Sequence, residues 1–251
     1  MTQPTTFDYT LQLADNALIL SQRLGEWCGH GPVLEQDIAM TNIALDLIGQ
    51  ARSLYQYAAE TEGKGRTEDD LAMTRVEDDY RNLLLVEQPN TDFAYTVVRQ
   101  FFFDVFNYHM HEALCSSRDQ NIAAIASKSI KEISYHLKWS SEWMIRLGDG
   151  TDISRQKMQA AVNDLWMFTG ELFEMSEADR SALKEGTGPD LATLKPLWQA
   201  KVNEILSEAT LSQPANNWMQ TGGKHGEHTE HMGYLLADLQ YMQRTYPGLE
   251  W

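Results

Sequence analysis

Apolar residues along this chain recur with a period near 3.6, and runs alternating every second residue are scarce, so the pattern predicts an all-α protein. Residues 33–61 show it most fully. Leu34, Ile38, Thr41, Leu45, Ile48 and Tyr55 fall on one face at 4-3-4-3 spacing. Val33, Met40, Ala44, Leu47, Ala51 and Leu54 mark a second face. The helix is therefore expected to be buried on two sides, as a central bundle helix is.

Punctuation separates eight such segments. A first helix over about 8–28 ends at WCGHGP (27–32), and the 33–61 helix follows. EGKGRTEDD (62–70) leads into a third helix ending near Val86. EQPNTD (87–92) precedes a fourth, with Thr91 or Asp92 as its N-cap. The fifth ends at LGDGTD (147–152), where Gly148 is placed as a C-cap. A sixth runs to about Glu174, a seventh contains Trp198 after EGTGPD (185–190), and the last covers roughly 228–245. Short loops and the absence of a linker predict one domain over 1–251, a long-helix bundle. Residues 1–7 are expected to be extended or disordered, and 213–251 to form a loop and last helix packed on the bundle or on a partner.

A bundle keeps its chemistry on inward faces, so polar residues within apolar stripes stand out. Asn16, with Asp15 beside it, shares a face with Tyr9, Leu13 and Leu20; Asp46 shares one with Ala39, Ile43 and Gly49/Gln50. Asp104 sits with Val97, Phe101 and Tyr108. On the fifth helix Ile122, Ile125, Ser129, Glu132, His136, Trp139 and Trp143 form one stripe. Asn16 and Asp46 are 30 residues apart and Asp104 and Glu132 are 28 apart, the mark of an internal duplication.

Ferritin-like di-iron bundles use that layout, with a Glu from one helix of each pair and Glu-x-x-His from the other. Here the first Glu position holds Asn16, or Asp15 after a one-residue slip. The first Glu-x-x-His holds Asp46 and Gly49, with no imidazole; the third position is Asp104. The second Glu-x-x-His holds Glu132 and Tyr135, and His136 is one residue late, ~100° round the helix. The expectation is a degenerate site with no catalytic, cofactor-binding or metal-binding residues of its own. Its buried carboxylates would be held by Arg23, Arg52, Lys128 or Tyr135. The alternatives are a divergent metal-binding oxygenase built on Asp46, Asp104, Glu132 and His136, and a stand-alone helical storage protein.

Charge narrows the partners. Lys plus Arg is 20 against 36 for Asp plus Glu, a net −16, which repels phosphate backbones and anionic lipid. Neither nucleic acid nor membrane is expected as a partner, although a local basic pocket still permits an acidic ligand. Cys28 and Cys115 make no disulfide framework, MTQPTTFDYT carries no leader pattern, and no apolar run nears the ~20 residues of a membrane span. A cytoplasmic protein is expected. Seven tryptophans, Trp251 among them, favour protein–protein contact.

The stretches LSQRLGEWCGHGPVLEQDIAMTNIALDLIGQAR (20–52), NLLLVEQPN (82–90), IKEISYHLKWS (130–140), LGDGTD (147–152) and TGGKHGEHTEH (221–231) closely resemble the structural-subunit family of bacterial phenylacetyl-coenzyme A 1,2-epoxidases. The resemblance runs in unbroken order from about residue 8 to Trp251. It implies a ferritin-like fold that has lost its own iron ligands and supports a homologous catalytic subunit, which holds the di-iron centre. It also implies a reductase with flavin and an iron–sulfur centre that takes electrons from NADPH.

KHGEHTEHMG (224–233) looks more like a metal site than anything above, with His225, His228 and His231 three residues apart. It lies at the start of the last helix, away from the long central helices, so it is a candidate only for an adventitious metal and otherwise a packed tail. Cys28 and Cys115 lack an activating pattern, and GGKHG (222–226) lacks the strand and Lys-Ser/Thr ending of a phosphate loop. His109 and His111 point too far apart on a helix to share an ion. The aromatic run RQFFFDVF (99–106) is expected as core or interface rather than as a substrate tunnel.

Overall fold

A computed structural model describes residues 5–215 and 218–249, so Trp251 and residues 1–4 lie outside the described residues. The fold is all-α, a ferritin-like bundle of long helices, with no strand among the described residues. Eleven α-helices are described, eight of them long. No described helix is long and apolar enough to cross a membrane. The residues divide into two compact units.

The first unit comprises residues within 1–87, 176–181 and 222–251. Its frame is α1 (Thr6–Gly25) lying along α2 (Leu34–Glu62). Thr5 starts α1, its N–H and hydroxyl donating to Asp8 Oδ2 at 2.8 and 2.9 Å. α2 ends in a left-handed Gly63 at φ 67°. The predicted third helix is broken into α3 (Glu68–Met73), a 3₁₀ turn (Glu77–Asp79) and α4 (Leu84–Glu87). The last helix is two, α10 (Glu230–Leu239) and α11 (Tyr241–Thr245).

Only one face of α2 is buried. Met40, Ala44, Leu47, Ala51 and Leu54 are in the core. On the other face Leu34 (72 % exposed), Ile38 (51 %), Leu45 (59 %) and Ile48 (47 %) are open to solvent and only Tyr55, further along, is buried, against the expectation that both faces would be covered. The periodicity identified two apolar stripes correctly; it did not say that this chain supplies a neighbour for only one.

The second unit comprises residues 88–175 and 182–221, within which 216 and 217 are not described. Here α5 (Phe93–Leu114) lies along α6 (Gln120–Gly148), joined by α7 (Asp152–Leu165) and α9 (Leu191–Glu208). α8 (Glu177–Glu185), absent from the sequence expectation, begins in the first unit's residues and ends in the second's. The predicted sixth helix stops at Leu165 and continues as 3₁₀ turns at Trp166–Phe168 and Gly170–Phe173. Asp92, not Thr91, caps α5, its Oδ1 accepting from the N–H groups of Ala94 and Tyr95 at 2.9 and 3.1 Å. Gly148 is the last helical residue and not a left-handed cap; a Cβ there would lie 2.3 Å from the Ala209 carbonyl oxygen, so close approach is what requires glycine. Phe101, Phe102 and Phe103 are core: Phe102 packs on Trp166 and Trp198, and the Trp198 indole N–H donates to the Phe102 carbonyl at 2.9 Å.

Candidate functional site

The two helix pairs each bury one carboxylate, and the two are held by opposite means. In the first unit it is Asp15, fully buried on α1. Its Oδ1 accepts from the Tyr55 hydroxyl at 2.6 Å, and Oδ2 accepts from the Arg81 backbone N–H at 2.8 Å. Both oxygens also accept from the Arg75 guanidinium, Oδ2 through Nη1 at 3.1 Å and Oδ1 through Nη2. This is the two-pronged geometry in which an Arg–carboxylate pair is strongest. Arg75 lies in the irregular segment after α3, 4.0 Å from the centre of the Tyr80 ring, with Nε donating to the Leu71 carbonyl. Burial alone would lower its pKa, but the charge of Asp15 more than restores it. Tyr55, beside the same carboxylate, is raised by burial and by Asp15, so it keeps its proton and donates.

In the second helix pair it is Asp104 on α5, and among the described residues no cation serves it. Oδ1 accepts from the Gln100 amide at 2.7 Å and Oδ2 from the Ser140 hydroxyl at 2.8 Å. Burial pushes its pKa up to about 8, more than those two hydrogen bonds draw it down, so at neutral pH the group carries its proton. His111, on the same helix, gives up its charge for the same reason: burial pushes it down to about 4, against a hydrogen bond between Nδ1 and the Asn107 carbonyl at 2.9 Å. His136 on α6 is fully buried and close enough for its charge to add to the lowering.

The remaining template positions fall unevenly. Asn16 is buried beside Asp15, its carbonyl accepting from the Leu83 N–H at 2.8 Å and its amide donating to the Gln12 carbonyl at 3.2 Å. Asp46 and Glu132 are half-buried, while Gly49 and Tyr135 are exposed. On each second helix the residue following the exposed template position is polar and buried, Gln50 after Gly49 on α2 and His136 after Tyr135 on α6. None of the four expected holders of the carboxylates does that work. Arg23 donates to the Glu87 carbonyl, Arg52 pairs with Glu68 at the surface, and Lys128 and Tyr135 are exposed. Arg75 was not anticipated, because it sits in a segment that pattern reading assigns to a helix running on to Val86.

Two irons require several carboxylate oxygens and imidazoles with lone pairs to give. Asp15 already accepts four hydrogen bonds, Gly49 offers no side chain, and Asn16 offers an amide. Among the described residues no group of three or more His, Cys, Asp or Glu is placed to hold a metal. The donor set does not fit the di-iron centre that the fold class implies.

The histidine-rich stretch has a different role. Glu87, fully buried at the end of α4, accepts at Oε1 from the Thr229 N–H and hydroxyl, both at 2.7 Å. Its Oε2 accepts from Asn82 at 3.0 Å and from His228 Nδ1 at 2.8 Å. His228 Nε2 meets the Tyr80 carbonyl at 3.2 Å. A carboxylate and a carbonyl both accept, so both ring nitrogens carry protons and neither has a lone pair for a metal. Burial lowers its pKa, but the hydrogen bond and charge of Glu87 outweigh that and leave it raised. The glycines before it allow the approach: a Cβ on Gly223 would lie 2.2 Å from the Asn82 carbonyl oxygen. The loop TGGKHGEHTEH is thus fastened onto NLLLVEQPN, two of the segments on which the family resemblance rests. His225 is exposed and His231 half-buried.

The fold and these clusters define a ferritin-like helical-bundle protein whose inward carboxylates are engaged by its own side chains. Over residues 1–251 the chain matches the family described as phenylacetic acid catabolic protein, and it belongs to that family. A relative from Escherichia coli (strain K12), one of the subunits of 1,2-phenylacetyl-CoA epoxidase, is 54% identical over 243 residues, covering 97% of this chain and 98% of the relative.

Proposed function

We propose that this chain is the non-catalytic structural subunit of a multicomponent phenylacetyl-CoA 1,2-epoxidase that works in the cytoplasm during aerobic phenylacetate breakdown. In this reading the di-iron centre belongs to a homologous subunit, and a reductase with flavin and an iron–sulfur centre delivers electrons from NADPH for oxygen activation. The chain itself folds as one ferritin-like domain and holds no metal. The high identity to an epoxidase subunit supports the enzyme complex, and the engaged oxygens of Asp15 and ring nitrogens of His228 support the structural role.

The observation that carries the partner is the open face of α2. Leu34, Ile38, Leu45 and Ile48 keep the 4-3 spacing of a coiled-coil seam over four turns, with Thr41 half-buried between them. An exposed apolar row of this length marks a contact surface, and its spacing fits one long helix packed alongside. A homologous bundle offers such a helix.

Co-expression with the catalytic subunit, followed by size-exclusion chromatography and iron analysis, tests the reading. The expected result is a stable complex whose iron stays with the partner when the subunits are separated. Leu45→Asp should abolish co-elution while leaving the melting temperature of the isolated chain within a few degrees, because Leu45 is exposed there. Two irons per isolated chain, or a complex indifferent to Leu45→Asp and Ile38→Asp together, would reject it.

A further inference from the structure

A cavity of about 490 Å³ lies within the first unit, between the start of α1 and the Lys224–His225 loop. The chain has nearly two acidic residues for each basic one, yet four cations line this cavity, Arg66, Arg75, Arg81 and Lys224, against the carboxylates of Asp8, Asp79 and Glu177. Three of the cations have counter-charges of their own. Arg66 grips Glu62 through Nε and Nη2 at 2.7 and 2.5 Å, Arg75 holds Asp15, and Lys224 lies 3.2 Å from Asp179.

Arg81 differs. Its side-chain hydrogen bonds run from Nη1 to the carbonyls of Asp78 and Tyr80, at 2.5 and 2.6 Å, and it forms no ion pair among the described residues. Nε and Nη2 remain as donors. The guanidinium is also held in place: Gly226, at φ +83°, comes so near that a Cβ would lie 2.6 Å from Nη1. Phe7 and Leu11 supply an apolar wall to the same cavity.

We propose that this cavity binds a small organic monocarboxylate, with the carboxylate on Arg81 and the apolar body against Phe7 and Leu11. A fixed, half-buried guanidinium with an edge unpaired matches a carboxylate in two prongs. The volume falls within the range of small-molecule sites and admits a body the size of one ring. Asp8, Asp79 and Glu177 set the charge limit, since a doubly charged phosphate or a nucleotide would face three negative groups where a monoanion meets one positive one directly. The inference goes beyond the subunit reading and does not depend on it.

Titration calorimetry on the full chain tests it, with phenylacetate as the probe, phenylacetamide as its uncharged counterpart and inorganic phosphate as a competitor. Saturable phenylacetate binding is expected, with the amide at least about tenfold weaker and Arg81→Gln weakened about 10- to 100-fold, the span of a charge-assisted pair. Arg81→Lys should fall between. Because Arg81 also ties two carbonyls, Phe7→Ala provides a variant that leaves it intact; weakened binding there supports the site and unchanged binding overturns it. Equal affinity for acid and amide, displacement by equimolar phosphate, no saturable heat, or a folded Arg81→Gln that binds normally would each overturn the proposal. Any of those results leaves the subunit reading standing, because partner capture is measured separately.

Discussion

Asp15 and Asp104 each lie on the first helix of a helix pair and each is removed from water, yet one sits in a cage of charged and polar donors and the other stays neutral. The difference lies in what the neighbouring chain brings. The first unit has an irregular segment, 74–83, that threads back past α1 and delivers Arg75 and the Arg81 N–H. The second unit reaches Asp104 only from regular helices, which present Gln100 from one turn earlier and Ser140 from α6. A buried carboxylate without a counter-charge lowers its cost by keeping its proton. Inward carboxylates on paired helices are thus accommodated by two unrelated solutions.

The comparison breaks most visibly if the guanidinium is removed. Arg75→Ala leaves a buried charge without its partner and is expected to cost about 3–5 kcal/mol in chemical denaturation, because the uncompensated carboxylate, not the lost attraction, sets the loss. Ser140→Ala removes only a neutral donor from Asp104 and should cost about 1 kcal/mol. Equal losses would mean that Asp104 is charged as well.

Next in size is a pH effect. The folded pKa of Asp104 is raised to about 8, so between its ordinary unfolded value and 8 the folded state holds a proton that the unfolded state has released. Stability contributed by this group therefore falls as pH rises through that window and levels off above it. Asp104→Asn should remove a fall of about 2 kcal/mol between pH 6.5 and 8, read as denaturation midpoints at the two values. His111, lowered to about 4, works in the other direction and in another window: its unfolded form takes up a proton as pH drops below about 6.5, so stability falls towards acid there. A variant whose stability between pH 6.5 and 8 is unchanged by Asp104→Asn would place the charge back on Asp104.

The smallest expected effect concerns His228. Its pKa is raised by Glu87, so its contribution is complete below the ordinary histidine value and is lost as pH rises through the folded value. His228→Ala should cost about 1 kcal/mol at pH 6, with the gap from wild type narrowing as pH rises. A gap that widened with pH would show that the ring is neutral and that Glu87 is held by Thr229 and Asn82 alone.

Much of this architecture is legible in the residue pattern, and the errors share a cause. Both ends of α1 and α2, the start of α5 and the end of α6 follow from periodicity and punctuation within a few residues, since long amphipathic segments repeat the same signal many times. The segment 68–87 does not, because its helices are short, charged residues interrupt its apolar pattern, and it is shaped by what it packs against rather than by its own preference. Arg75 and Glu87 both lie in it, so the residues that hold Asp15 and anchor the histidine loop were hidden with it. The neutral state of Asp104 was likewise invisible: a carboxylate on an apolar stripe signals burial, while the absence of a nearby cation is a fact about other helices.

The sequence by itself determined the helical period, the paired long helices, the inward carboxylates and the gap at Gly49, because each depends on residues within a few turns of one another. Tertiary structure decided which carboxylate meets an arginine, that His228 serves Glu87 instead of a metal, and that one stripe of α2 remains uncovered. The first two of those outcomes turn on groups 60 or more residues apart, 141 in the case of His228 and Glu87, whose meeting no local spacing encodes.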